Sequence, residues 1–398
     1  MTSFNKLGLP DIILDSLKKI NFTNPTPIQE QAIPAALDGN DILGSAQTGT
    51  GKTAAFALPM LAHLLNSESS AALVLLPTRE LARQVCEAAQ KFIGPKSGLH
   101  TALLIGGEAM PKQLRQLKYR PRLIVGTPGR INDHLLRHSL KLNHCDFLVL
   151  DETDRMLDMG FGIQLEQICR HLPEQRQTLM FSATLPGNIV SLSQKYLKNP
   201  VRIAIGSTQT AAPKIKQEIV KTNAAQKYDE LTAQLAARSG SILIFVKTKF
   251  GAERLAGKLN KLSLTACAIH GDLKQRLREK VISDFRKQKN RILVATDIAA
   301  RGLDIPHIQH VINYDLPQCP EDYIHRIGRT ARAGAEGCAV NIITAADATK
   351  WKAIHKLMHA AGNDDTLALN KERQHRKRHS GNFRRGNLRA NRCTQHAA

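Results

Sequence analysis

The chain has 398 residues, enough for two or three domains that each bury a core. Lys+Arg 56 against Asp+Glu 34 gives a net charge of +22, which favours a polyanionic partner, either nucleic acid or an anionic membrane surface. At 42% hydrophobic and 23% charged it is ordinary globular material, and no apolar run approaches the roughly 18 to 20 residues of a membrane span.

The N-terminus lacks a basic patch followed by an apolar core, so no signal peptide is expected. Short apolar runs then recur at 41–46, 72–78, 102–107, 122–128, 147–152 and 178–184. Most are continuous and not alternating, as in parallel strands covered on both faces. Helical patterns lie between them; in 79–93, Leu81, Val85, Ala88 and Phe92 recur every three or four residues. Strand and helix alternating in this way predict a doubly wound α/β domain over 1–205.

The small, polar stretch 206–214 reads as a linker. Runs at 241–247, 265–271, 291–297, 310–315 and 338–344 repeat the grammar and predict a second α/β domain over 215–360. Residues 371–398 hold nine Lys/Arg and one acid, Glu372, and so carry +8 of the +22; 361–398 is expected to be a disordered basic tail. The seven cysteines, Cys86, Cys145, Cys169, Cys267, Cys319, Cys338 and Cys393, are scattered and never form CxxC. That argues against a disulfide framework or structural zinc and for a reducing, cytoplasmic setting.

The sharpest local signal is AQTGTGKT: Ala46, Gln47, Thr48, Gly49, Thr50, Gly51, Lys52 and Thr53. It sits between an apolar run and a helical pattern, where a glycine-rich turn points backbone N–H groups at a polyphosphate. Lys52 would reach the β- and γ-phosphates, and the Thr53 hydroxyl would ligate Mg²⁺. Ala46 stands where the P-loop pattern has its first glycine. A second metal-holding carboxylate is needed at a neighbouring strand end, and FLVLDETD supplies it. Asp151 would hold Mg²⁺, partly through water, and Glu152 would orient and deprotonate the attacking water.

With these two motifs in order, the chain resembles the DEAD-box ATP-dependent RNA helicases of bacterial type from about residue 4 to about residue 345. DETD stands where that family has its name-giving motif, with Thr153 in place of the usual Ala. The resemblance implies two tandem RecA-like domains and an RNA-dependent ATPase that unwinds short duplexes. FTNPTPIQ resembles the family's adenine-recognising glutamine motif, so Gln29 would read the base, Phe22 would lie against it, and Phe4 matches the upstream aromatic. IHRIGRTARAG resembles the last motif, in which Arg329 and Arg332 would contact the γ-phosphate and Arg326 would support the domain interface. Three-residue spacing would place these arginines on one helix face. Asp304 would bond the ribose and Asp297 would join the interdomain contacts. Ser182 and Thr184, bonded near Asp154, would couple hydrolysis to strand separation.

An RNA track is implied by PTRELARQ, with Pro77, Thr78 and Arg79, by Gly106 and Gly107, and by TPGR, with Thr127, Pro128, Gly129 and Arg130. Lys247, Gln275, Arg278 and Thr296 are its counterparts in the second domain. Such a track reads phosphates and 2′-hydroxyls, giving little sequence preference. ATP and Mg²⁺ are the expected cofactors and RNA the expected partner. Ribosomal or mRNA-decay complexes are candidate settings for a monomer with no membrane association. The alternatives are an ATP-gated RNA clamp without significant unwinding, and a DNA helicase, which the glutamine motif and SAT disfavour.

Overall fold

The computed structural model describes residues 3–46, 49–94, 97–183, 187–205, 215–300, 305, 307–331 and 336–360. The expected linker 206–214 and basic tail 361–398 lie outside the described residues.

Two fully parallel sheets account for the architecture. The first contains β1 (Ile42–Ala46), β2 (Ala71–Leu75), β3 (Thr101–Leu104), β4 (Leu123–Gly126), β5 (Cys145–Leu150), β6 (Gln177–Ser182) and β7 (Val201–Ile205). Their order is β3-β4-β2-β5-β6-β1-β7. The second contains β8 (Ile215–Lys221), β9 (Ser241–Phe245), β10 (Ala266–Ile269), β11 (Ile292–Ala295), β12 (Ile308–Asn313) and β13 (Gly337–Ile343), in the order β10-β11-β9-β12-β13-β8.

The continuous apolar runs follow from burial on both faces. Along β2, Ala72 and Val74 join a core with Phe56 and Phe181, whereas Leu73 and Leu75 point to the opposite core with Met156 and Leu165. The second sheet divides likewise: Ile242 and Ile244 of β9 face one cluster, Leu243 and Phe245 the other.

Two strands escaped the sequence reading, β7 and β8. Both lie at sheet edges and alternate exposed with covered residues, so neither shows the continuous apolar run of an interior strand. The shared arginine face is also corrected. The helix Pro320–Ile327 ends with Gly328 as its C-cap, so Arg326 is helical and Arg329 lies past the end. Arg332 is outside the described residues.

The strand orders partition function along one edge. In parallel α/β sheets, ligands gather at the carboxyl ends of the strands. β5, β6 and β1 are neighbours, and their ends lead into DETD, SAT and the P-loop. β3, β4 and β2 are neighbours too, and their ends lead into Gly106–Gly107, TPGR and PTRELARQ.

Candidate active site and nucleic-acid interface

The phosphate-binding turn connects β1 to the helix Lys52–Asn66, whose N-cap Gly51 has φ 92°. That left-handed backbone favours glycine, and a Cβ there would come within 2.3 Å of Gln29 Nε2. Lys52 is buried and donates from Nζ to the Ala46 carbonyl at 2.7 Å. Gly49 and Gly51 both have positive φ, and Thr50 and Thr53 complete the described part of the loop. Gln47 and Thr48 lie outside the described residues.

Gln29 is fully buried beneath this turn. Its Oε1 accepts from Thr26 N at 2.9 Å and its Nε2 donates to the Gly51 carbonyl at 2.9 Å. The expected base reader is thus also a helix cap and a tie to the P-loop; one Nε2 hydrogen and one Oε1 lone pair are not used by these two bonds. Phe4 is buried and stacks on Phe22 with ring centroids 5.2 Å apart, and Phe22 meets Phe92 at 5.8 Å. The two aromatics form one wall.

Asp151 and Glu152 leave β5 buried. Burial pushes the Asp151 carboxyl up to about 6 despite nearby Lys52. A buried carboxyl raised by desolvation, at a strand end on the same sheet edge as the P-loop helix that begins with Lys52 and Thr53, supplies the oxygen donors that suit a hard cation. Glu152 adopts φ 51° and ψ 49°, a strained conformation for a residue with a Cβ. Burial works to raise its carboxyl, but Arg155, Arg329 and Lys52 hold it below the usual range. Arg155 Nη1 donates to Glu152 Oε2 at 2.8 Å inside the core. The sequence reading missed Arg155; its signal was the i,i+3 position after Glu152.

The second sheet closes over these acids. Arg155, Asp297, Asp322, His325, Arg326 and Arg329 line one narrow gap between the domains. Asp154 Oδ2 accepts from Ala183 N at 3.1 Å, linking DETD to SAT, and Ser182 is buried at the end of β6. Thr184 and Asp304 are outside the described residues. Burial works to raise Asp154, but His325 and Arg155 hold it low. Arg326 and Asp297, both expected to serve the interface, bind each other within the second domain. Nε and Nη2 donate to Oδ1 and Oδ2 at 2.5 and 2.7 Å, while Nη1 donates to Asn313 Oδ1 at 3.0 Å.

The second constellation is a groove of about 580 Å³ spanning both domains. It brings together Pro77, Thr78, Arg79, Gly106, Thr127, Gly129 and Arg130 with Gln275 and Arg278. Gly107 lies against the Gln275 side chain. Pro128, Lys247 and Thr296 sit at the same strand ends but are not among the groove's lining residues. Thr78 already caps the helix Arg79–Ile93, accepting from Leu81 N at 3.3 Å.

The cationic groups here hold one another's domains. Arg278 Nε lies 2.7 Å from Glu80 Oε1, and Nη2 donates to the Ala299 carbonyl at 3.0 Å. Gln275 accepts from Arg79 Nη1 at 3.2 Å and donates to Glu80 Oε1 at 3.3 Å. Arg83 Nη2 donates to Glu108 at 2.6 Å and across the cleft to Glu279 at 2.8 Å. Glu80, Arg83, Glu108 and Glu279 were not singled out in the sequence, although Glu80 and Arg83 lie within PTRELARQ.

Comparison with known proteins matches this geometry. The DEAD/DEAH box helicase model matches residues 26–192, and the helicase conserved C-terminal domain model matches 224–334. The chain is 44% identical over 358 residues to the DEAD-box ATP-dependent RNA helicase CshA of Bacillus cereus, covering 89% of this chain and 68% of the relative. This chain belongs to the DEAD-box ATP-dependent RNA helicases. It is also 45% identical over 346 residues to the ATP-dependent RNA helicase CshA of Listeria monocytogenes, covering 86% of the chain and 66% of the relative. It therefore spans about two thirds of the length of these curated relatives. Among solved structures, S. cerevisiae Dbp5 bound to RNA and ADP BeF3 matches with TM-score 0.82 and 34% identity, covering 90% of this DEAD-box chain and 94% of Dbp5. Mss116p bound to ssRNA and AMP-PNP matches with TM-score 0.81 and 29% identity, over 90% and 76%.

Proposed function

We propose that this chain is an RNA-dependent ATPase that locally unwinds short RNA duplexes and remodels RNA–protein complexes. The observation that carries the reading is the burial of Glu152 between Arg155 of its own domain and Arg329 of the other. Domain closure therefore assembles the reactive carboxylate and the charge opposite it, while the same closure completes the groove across both domains.

ATP would supply the scissile phosphoanhydride, with Mg²⁺ held by Thr53 and Asp151. The chain's own residues then have separable tasks. Lys52 and the N-terminus of the helix Lys52–Asn66 neutralise phosphate charge. Glu152 takes the proton of a water through Oε1, because Arg155 holds Oε2. Arg329 and Arg332 stabilise the developing charge, a contribution of about 10³ to 10⁵ in rate where such an arginine is present. Phe22 and Gln29 form the base side of the pocket, and Asp304 binds the ribose. Asp154, Ser182 and Thr184 transmit closure to the groove.

In the groove, the backbone and side chains at 77–79, 106–107 and 127–130 take phosphates and 2′-hydroxyls of a single strand. RNA entering there competes with the Glu80 and Glu279 contacts to Arg83, Gln275 and Arg278, and with the Arg79–Gln275 bond. The proposed setting is cytoplasmic and monomeric, with ribosomal or mRNA-decay RNA as substrates. No helix among the described residues is long and apolar enough to cross a membrane.

Steady-state ATP turnover with and without single-stranded RNA, beside strand separation of a short RNA duplex, tests this. RNA should stimulate turnover, and ATP should drive separation. Stimulated turnover without separation would support the clamp alternative, and equal stimulation by DNA would support the DNA alternative. Glu152→Gln should retain ATP and RNA binding and hydrolyse slowly; wild-type turnover would remove Glu152 from its role.

A further inference from the structure

A face of the second domain away from both constellations is only partly covered by the described residues. β8 is the last strand of its sheet, and residues 215, 217, 219 and 221 share one of its faces. The helix Ala348–Ala360 covers only the first half of that face. Ile215 packs with Tyr323, Ile354 and Trp351, and Gln217 accepts from the Tyr323 hydroxyl at 2.8 Å. Beyond the helix, Ile219 is 49% exposed. Ile219, Ile343 and Trp351 floor a mainly apolar groove of about 610 Å³, rimmed by Lys221, Lys352 and His355, with no carboxylate among its lining residues. An edge strand beside an apolar, positively rimmed groove suits a short extended segment with apolar side chains and acidic flanks.

We propose that residues 364–369 of this same chain, Asp-Asp-Thr-Leu-Ala-Leu, fill this groove. The chain leaves the groove-lining helix at Ala360, and Gly362 stands two residues on, where glycine commonly reverses a chain after a helix. Trp351 to His355 lie back up the helix by about 8 to 14 Å at its rise per residue. Six residues, 361–366, reach up to roughly 20 Å when extended. Leu367 and Leu369, two positions apart, present to one side of an extended segment. Asp364 and Asp365 meet the cationic rim. The remainder, 371–398, is strongly basic and would be repelled by Lys221 and Lys352, which selects this segment of the tail. Docking there fixes the point from which the +8 run departs.

Trp351 is the single tryptophan of the chain and lies in the groove, so it reports occupancy. In the full-length protein, Leu367→Asp with Leu369→Asp should shift Trp351 emission to the red. It should also raise acrylamide quenching about twofold as the ring exchanges apolar contact for water. Ile219→Asp should do the same, and ATP turnover without RNA should be unchanged in the double variant. A peptide of residues 361–370 added to the double variant should restore the original emission. Unchanged emission in the double variant overturns the proposal, as does failure of the peptide to restore it. Emission that depends on protein concentration, together with dimers in sedimentation, assigns the groove to a second copy and overturns docking within one chain.

Discussion

The Thr153 hydroxyl donates to the backbone carbonyl of Phe181, 3.2 Å away, and lies 3.3 Å from the carbonyl of Leu150. Thr153 is fully buried, so this one side chain ties the end of β5 to the end of β6, a single residue before Ser182. An alanine at this position has no group that makes this tie. We predict that Thr153→Ala lowers unfolding stability by about 1 kcal/mol, the net value of one intramolecular hydrogen bond. The effect on function should be a larger loss in duplex separation than in ATP turnover, because the tie joins DETD to the coupling motif and touches no phosphate. Denaturant unfolding and the ratio of strands separated to ATP consumed check this; an unchanged ratio would remove Thr153 from coupling.

A second prediction concerns the cleft. Arg83 bridges Glu108 of its own domain and Glu279 of the other. Both interdomain partners are partly exposed, so the pair contributes about 0.2 to 1 kcal/mol and is screened by salt. Exchanging the charges, Arg83→Glu with Glu279→Arg, should recover part of the closure that either single change loses. Interdomain distance measured by paired fluorophores at low salt is the readout. Strictly additive single and double changes would show that the bridge does not hold the domains.

The interior of both sheets was legible because doubly covered strands leave continuous apolar runs, and the P-loop and DETD sit at their ends. The edge strands β7 and β8 were not, since a strand with one exposed face carries Arg202, Lys216 and Glu218 among its apolar residues. Arginine spacing alone misled: a three-residue repeat implies a common face only while the helix lasts, and Gly328 ends it before Arg329. Sequence proximity also hid partners. The Arg326–Asp297 pair and the Glu80–Arg278 pair join residues far apart in the chain, and only the folded cleft reveals that Arg278, assigned to RNA, lies against a protein carboxylate.

Acid should weaken closure through His325. Burial pushes its imidazole below the usual histidine range, and Arg155 adds to this against Asp322, Asp154 and Glu152. Arg326, Arg329 and Asp297 line the same gap. When the domains part, His325 regains water and a pKa near about 6.5. Below that value the open form binds more protons than the closed form, so closure strengthens as pH rises and levels off above it. RNA affinity in the presence of nucleotide should fall as pH drops through this window, by at most about tenfold per unit for one proton. His325→Asn should flatten the dependence. Asp151, pushed up to about 6 by burial, is present in both proteins, so the comparison isolates the histidine. Identical slopes would exclude it.

The last prediction follows from the double use of Gln29. Its amide caps the helix Pro27–Leu37 through Thr26 N and holds the P-loop through the Gly51 carbonyl. A side chain that only read adenine would, when removed, change nucleotide choice without changing the nucleotide-free protein. Here Gln29→Ala removes a cap and leaves the Gly51 carbonyl without its partner, so unfolding stability should fall by about 1 to 3 kcal/mol before any nucleotide is added. Gln29→Glu keeps the acceptor for Thr26 N and loses the donor to Gly51, so it separates the two tasks. It should preserve most of the cap while weakening phosphate binding and discrimination between ATP and GTP. Thermal unfolding without nucleotide, beside KM for ATP and for GTP, gives the two readouts. Full nucleotide-free stability in Gln29→Ala would show that the links to Thr26 and Gly51 do not support the loop, leaving base recognition as its task.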